Sequence, residues 1–405
     1  MNYKQNNRNF VLSKSPNGLK NMDAKKKITF IVNPISGTHG KQAILDLIEK
    51  KLDLTKYEYT VCRTEYAGHA SEIARKASEE GCDIVVAIGG DGTINEIGRS
   101  LVHTNTALGI IPCGSGNGLA RHLHIPMDAK GAIDTLNKGF QTTIDYGIID
   151  GHLFFCTCGV GFDAFVSLKF ADSGKRGLLT YLENTLHESL TYRPETYEIE
   201  NSEGTVKYKA FLIACANASQ YGNNAYIAPQ ASLTDGLMNI TILEPFTVLD
   251  VPALSFQLFN KTIDQNSRIK TMTDKKIIIH RSKEGVFHFD GDPMIGGKDL
   301  EVEIKPKGLH IITPEKPKET FDPFSLLQNL TDFVDKRPLT TTLAHRHKQL
   351  VKLNQNILLF SPALYFTSTN KSHGLKLYIR ENTHAGPVPQ PDVQFYIPMP
   401  YAKKP

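Results

Sequence analysis

The chain has 405 residues, 40% of them hydrophobic, with 46 Lys and Arg against 42 Asp and Glu. That is enough apolar material for two domain cores, and a formal net charge of +4 is too small to argue for nucleic acid. Six cysteines, Cys62, Cys82, Cys113, Cys156, Cys158 and Cys215, form no Cys-x-x-Cys pair; several sit in apolar runs and read as buried free thiols in a reducing cytoplasm.

Residues 1–25 are polar, lack the apolar core of a signal peptide and are expected to be disordered. No stretch approaches the about 20 apolar residues of a membrane span, so membrane contact is expected to be peripheral. From residue 26 to about 145 the pattern alternates. Strands are expected near 27–32, 57–63, 83–88 and 107–111, and helices near 40–52, 68–80, 93–102 and 116–123. Alternation at this spacing predicts an α/β domain with a doubly wound parallel sheet.

Residues 146 to 306 change character. Apolar runs at 154–158, 197–200, 210–216, 237–243, 276–280 and 286–289 predict a β-rich, sandwich-like second domain, with helical interruptions near 175–190 and 247–260. In the tail, 315–405, Asp322-Pro323 could open a helix. Phe324, Leu327, Leu330, Phe333 and Val334 would form its apolar face, docked on the protein's own surface. From Ser361 onward the chain is Pro-rich with weak periodicity, and disorder is expected. His345-Arg346-His347 reads as a solvated patch, because no partner carboxylate or Cys pattern lies near it.

Three glycine-rich segments follow expected strands. The first is Asn33-Pro34-Ile35-Ser36-Gly37, the second Gly89-Gly90-Asp91-Gly92-Thr93-Ile94-Asn95-Glu96, and the third Gly114-Ser115-Gly116-Asn117-Gly118-Leu119-Ala120. Glycine lets a backbone approach a phosphate closely, and the free N–H groups of a helix start favour anions. Each turn alone is a weak signal. Three at successive strand ends converge on one sheet edge, where open α/β sheets place their chemistry. An acid, Asp91, inside such a loop makes sense if a magnesium ion or a substrate hydroxyl is also held there. Neither the Walker A pattern nor Gly-x-Gly-x-x-Gly is present.

These three blocks resemble the signature blocks of the diacylglycerol kinase catalytic-domain family, which includes bacterial soluble lipid kinases and sphingosine kinases. The resemblance runs in order from about Lys26 to Pro314. It implies a nucleotide-binding domain over 26–145 completed by a return strand at about 307–314, a lipid-acceptor domain over 146–306, and a site in the cleft between them. It implies ATP and Mg2+ as cofactors. Asn33, Pro34, Ser36, Gly37, Gly89, Gly90, Asp91, Gly92, Thr93 and Ser115 would line the nucleotide. Thr64, in Thr64-x-x-x-Gly68-His69-Ala70, would join them or else serve as a helix cap. Asp91 would reach the catalytic magnesium directly or through water. A structural magnesium would take the Asp235 carboxylate and the backbone carbonyls of Ser232 and Leu237; the alternative is a plain turn aspartate.

The family's general base is the Glu of an Asp-Gly-Glu element. Here the element is Asp290-Gly291-Asp292, so Asp292 stands in its place with a side chain roughly 1–1.5 Å shorter. Either the backbone brings Asp292 closer or Asp91 shares the role. The resemblance implies transfer of the γ-phosphoryl group of ATP to a lipid hydroxyl, with diacylglycerol as the leading acceptor. A sphingoid base is the alternative; an NAD kinase or a non-enzymatic lipid- or nucleotide-binding relative comes after it. A cytoplasmic protein that visits the inner membrane surface for a membrane-derived lipid is expected, with no nucleic acid partner and room for a homodimer.

Overall fold

The computed structural model describes residues 25–34, 40–173, 192–247, 249–315, 364–368, 374–379 and 393–398. Residues up to Leu326 form one unit and those from Leu327 a second. In the first unit, strands β1 (Lys26–Val32), β2 (Tyr57–Arg63), β3 (Ile84–Gly89) and β4 (Ala107–Pro112) alternate with helices α1 (Lys41–Lys51), α2 (His69–Glu79) and α3 (Asp91–Leu101). They pair in parallel in the order β2-β1-β3-β4. Every residue of β3 and β4 is buried, which is why both read as unbroken apolar runs. Burying each Val, Ile or Leu side chain there is worth about 1.5–3 kcal/mol.

The helices cover this sheet with their apolar stripes. Ile44 and Ile48, one turn apart on α1, are buried, and Ala70, Ala74 and Ala77 form the buried stripe of α2. After α4 (Gly118–His122) comes α5 (Ala129–Lys138), a helix not anticipated from the periodicity. Its ends carry the usual stops: the Asp128 side chain accepts from the Gly131 N–H, and Gly139 follows in the left-handed conformation that glycine tolerates best.

β5 (Gln141–Ile149) and β16 (Asp299–Ile312) carry the chain from the parallel half of the sheet into its antiparallel half. β16 is 14 residues long. It lies parallel to β4 near Ile311 and antiparallel to β5 along its length, with a register shift between Lys305 and Leu309. Beyond it β13 (Lys276–Arg281), β8 (Glu195–Asn201) and β9 (Gly204–Ala210) complete the layer, and β6 (His152–Phe154) pairs with β5. A second, wholly antiparallel sheet has the order β12-β11-β10-β7-β14-β15. Its strands are β7 (Thr157–Gly161), β10 (Leu212–Ala216), β11 (Met238–Leu243), β12 (Ile269–Asp274), β14 (Gly285–Phe289) and β15 (Asp292–Gly296).

Side chains from the two sheets, among them Ile199, Ile279 and Val302 against Val160, Ile213 and Phe287, fill one buried core. The architecture is therefore an α/β domain followed by an antiparallel β-sandwich. Helix α6 (Phe162–Ser173) follows β7, and α7 (Val251–Phe259) follows β11. The helix expected near 175–190 and the one after Asp322 lie outside the described residues. In the second unit, β17 (Leu364–Ser368), β18 (Gly374–Ile379) and β19 (Val393–Pro398) form an antiparallel sheet. These three strands lie within the stretch after Ser361 where disorder was expected; the rest of that stretch lies outside the described residues.

Candidate active site

The ends of β1, β3 and β4 bring Asn33 and the second and third glycine turns together. The Asn33 amide donates to the Thr93 hydroxyl at 3.1 Å, joining the first turn to the second. Gly90 meets Gly114 backbone to backbone: a Cβ on Gly114 would lie 2.8 Å from the Gly90 Cα, so only glycine permits this approach. Gly89 packs under Thr93, which is buried. Gly92 and Ser115 are exposed at the mouth, as is Pro34, whereas Ser36 and Gly37 fall outside the described residues. Thr64 follows β2, with its N–H on the Val32 carbonyl at 3.0 Å. Gly68, not Thr64, stands at the N-cap of α2, so the capping alternative for Thr64 is excluded.

Asp91 starts α3 and clamps the third turn. Its Oδ2 accepts the Asn117 N–H at 2.7 Å and its Oδ1 accepts the Gly118 N–H at 2.8 Å. Charge-assisted bonds to backbone N–H groups are strong, and the carboxylate also meets the positive end of α4. Burial pushes its carboxyl above the usual range, while these N–H groups and Arg121 pull it back. A Cβ on Gly116 would lie 2.7 Å from Asp91 Oδ2; the loop thus closes directly on the acid. Asn117, in left-handed conformation, locks the turn through its side chain, which bonds both the N–H and the carbonyl of Gly114. One helix turn on, His122 Nδ1 accepts the Ser219 N–H at 3.0 Å, tying α4 to the segment after β10.

Asp292 lies elsewhere. It opens β15, its side chain 54% exposed, with Oδ2 3.3 Å from Nη1 of Arg99. Arg99 is in the last turn of α3. Eight residues separate Asp91 from Arg99, about 12 Å of helix, so the two carboxylates serve opposite ends of α3. The turn before Asp292 is pinned from below. Asp290 and Gly291 both have positive φ, 53° and 89°, the hairpin geometry that Asp-Gly favours. The Asp290 carboxylate accepts the N–H groups of Phe155, Cys156 and Thr157 at 2.7, 2.7 and 3.1 Å. Burial raises the Asp290 carboxyl, opposed by the Arg99 charge and these three bonds. The anchoring role of Asp290 and the contact of Arg99 were not legible in the sequence, since both depend on pairing across more than a hundred residues.

Ser232, Asp235 and Leu237 form a separate place on the second domain. Asp235 is exposed and its Oδ1 accepts the Leu237 N–H at 3.0 Å. The loop is held from beneath by a residue the sequence reading passed over. Asp145, fully buried in β5, accepts the Gly236 N–H and the Lys307 N–H at 2.7 Å each. Among the described residues no three His, Cys, Asp or Glu side chains cluster as a metal site. A magnesium ion at Asp91 or Asp235 would therefore complete its shell with backbone carbonyl, water or phosphate oxygens, which suits this hard cation.

Comparison with known proteins gives the family. Residues 27–149 match the model described as diacylglycerol kinase catalytic domain. Residues 156–313 match the one described as YegS C-terminal NAD kinase beta sandwich-like domain. A Streptococcus pneumoniae protein named "Putative lipid kinase" is 31% identical over 73% of this chain and 99% of its own length. A Bacillus subtilis protein named "Diacylglycerol kinase" is 27% identical over 73% and 99%. The crystal structure of a Bacillus anthracis diacylglycerol kinase has the same fold, with a TM-score of 0.56 at 18% identity over 72% of this chain and 98% of that one. The chain belongs to the diacylglycerol kinase catalytic-domain family.

Proposed function

We propose that this chain is an ATP-dependent lipid kinase whose acceptor is the primary hydroxyl of diacylglycerol. The observation that carries the reading is the clamp of Asp91 on the Asn117 and Gly118 N–H groups. It closes the third glycine turn on the second at one sheet edge, beside the Asn33 amide on Thr93, where a triphosphate can meet backbone N–H groups and two helix starts. Asn33, Thr93 and the turn backbones hold the nucleotide; Thr64 and Ser115 bring hydroxyls to its rim. Magnesium held at Asp91 would neutralise charge on the transferring phosphoryl group, and a second, structural magnesium would be held by the Asp235 loop.

The acceptor hydroxyl oxygen bonds to the γ-phosphorus as the bond to the β–γ bridging oxygen breaks and ADP leaves. The hydroxyl proton passes to the Asp292 carboxylate. A lipid acceptor fits the surroundings of Asp292. Two residues along β15, Met294 and Ile295 are exposed, Ile295 at 72%, an apolar edge beside the polar group. Among the described residues no helix is long and apolar enough to cross a membrane; the lipid would be met by transient contact with the membrane surface. The relative named diacylglycerol kinase makes diacylglycerol the first acceptor to try.

The test is transfer from radiolabelled ATP, with magnesium, to diacylglycerol, sphingosine, ceramide, monoacylglycerol and NAD, each product identified. Labelled phosphatidate is expected. Preferential labelling of sphingosine moves the acceptor to a sphingoid base, and labelling of none sinks the kinase reading.

A further inference from the structure

The missing methylene at Asp292 has a structural counterpart in Arg99. We propose that Arg99 is the positioning residue for Asp292, fixing the shortened carboxylate at the point where the acceptor hydroxyl is deprotonated. The inference rests on the reading of Asp292 as proton acceptor.

Four observations support it. First, the guanidinium is itself held in place. Nε donates to the Leu153 carbonyl at 3.0 Å, and the group lies over the Phe289 ring, 4.8 Å from its centroid. Second, the Asp290 anchor fixes the backbone of the turn. What stays free at Asp292 is its side-chain rotamer, and Nη1 of Arg99 at 3.3 Å is the partner that selects one; unselected rotamers dilute a reactive geometry. Third, the contact is a poor stabilising device. The Asp292 side chain is 54% exposed, and exposed ion pairs add little to stability. Moreover, Nη2 of Arg99 is buried without a hydrogen-bond partner, a cost that an apolar residue at 99 would avoid. Fourth, Arg99 and Asp91 belong to one helix. A single rigid element therefore references both the nucleotide turns and the acceptor side, so the carboxylate is placed relative to the phosphates and not merely relative to its own hairpin.

The experiment is a double-mutant cycle on the full chain, with kcat and the Michaelis constant for ATP measured for Arg99→Met, Arg99→Lys, Asp292→Asn and the paired variants. Arg99→Met should lower kcat by about 10- to 100-fold, the range a misplacement near 1 Å produces, with the constant for ATP nearly unchanged. Arg99→Lys should recover part of the loss, because a point charge can still meet the carboxylate but cannot reproduce the fork. In the Asp292→Asn background, Arg99→Met should cost no further activity, since its target is gone. If Arg99→Met keeps full kcat, or costs the same factor with Asn at 292, the positioning role is overturned while the base reading stands. If Asp292→Asn itself keeps full kcat, both fall together. Melting curves are taken for every variant; should Arg99→Met not fold, Arg99→Lys carries the cycle with the same two refuting outcomes.

Discussion

Replacing Asp91 by Asn tests the clamp that assembles the nucleotide turns. The carboxylate accepts one backbone N–H on each oxygen, at 2.7 and 2.8 Å. An Asn can accept only one; its amide nitrogen then faces the other N–H, donor against donor. Losing a hydrogen bond to a charged group costs about 1.5–3 kcal/mol, and the remaining N–H faces a site too close for the Gly116 backbone to withdraw freely. Every 1.36 kcal/mol is a factor of ten in population or rate, so the third turn alone accounts for roughly 10- to 150-fold. In the proposed role, loss of the charge that would hold the magnesium adds to this. Steady-state kinetics should show kcat/KM down by at least ~10², with a raised KM for ATP because the loop no longer closes. Calorimetry should show one cooperative transition lowered by about 4 °C or more, as 1 kcal/mol moves Tm by about 2–4 °C for a domain of this size class. Near wild-type kcat/KM with an unchanged KM would refute both the clamp and the charge roles.

Further expectations concern three other places. Asp292→Asn should reduce kcat with little change in the KM for ATP, and Asp292→Glu should remain active because it restores the reach of roughly one methylene; full kcat for the Asn variant would move the base to Asp91. Burial, with the His124 and Lys261 charges, holds His122 down to about 4 against an ordinary 6.5. Its stabilising contribution is thus complete above 6.5 and lost as pH falls through 4, because the unfolded chain takes up the proton first. The full gap corresponds to about 3 kcal/mol, and partial exposure reduces this to about 1–2 kcal/mol. Thermal melts of wild type should therefore drop between pH 6.5 and 4 more steeply than those of His122→Gln; parallel pH curves would remove this account. Ending the chain after Leu326, where the first unit closes, should leave a cooperatively folding kinase, and an aggregated product or loss of the transition would show that the later residues belong to its fold.

The parallel half of the fold was legible because its signals are local. β1 to β4 and α1 to α3 are set by unbroken apolar runs, by i, i+4 stripes such as Ile44 and Ile48, and by glycines at the strand ends. The three turns could be named for the same reason. What the chain order conceals is the pairing of distant residues. Asp145 sits in Ile144-Asp145-Tyr146, an acid within an apolar strand, and that oddity was the available signal; its partners, Gly236 and Lys307, are 91 and 162 residues away. α5 was missed although Asp128 and Gly139 mark its ends, because its apolar positions, Ala132, Ile133 and Leu136, are few. Asp292 was picked out through the family pattern, but its exposure and its attachment to α3 could come only from the folded chain.

The long strand β16 bears on how the two halves of the first unit can move. Because β5 and β16 run side by side through both halves of the ten-stranded sheet, the two halves share a continuous backbone ladder instead of a flexible joint. A clamshell swing of one lobe against the other would have to rip that ladder, and the buried Asp145 rivets its kink at Lys307. Opening must then come from turns and rim side chains around a stiff spine. The spine's amides should be among the slowest to exchange with solvent deuterium, and the two halves should melt as a single mechanical body.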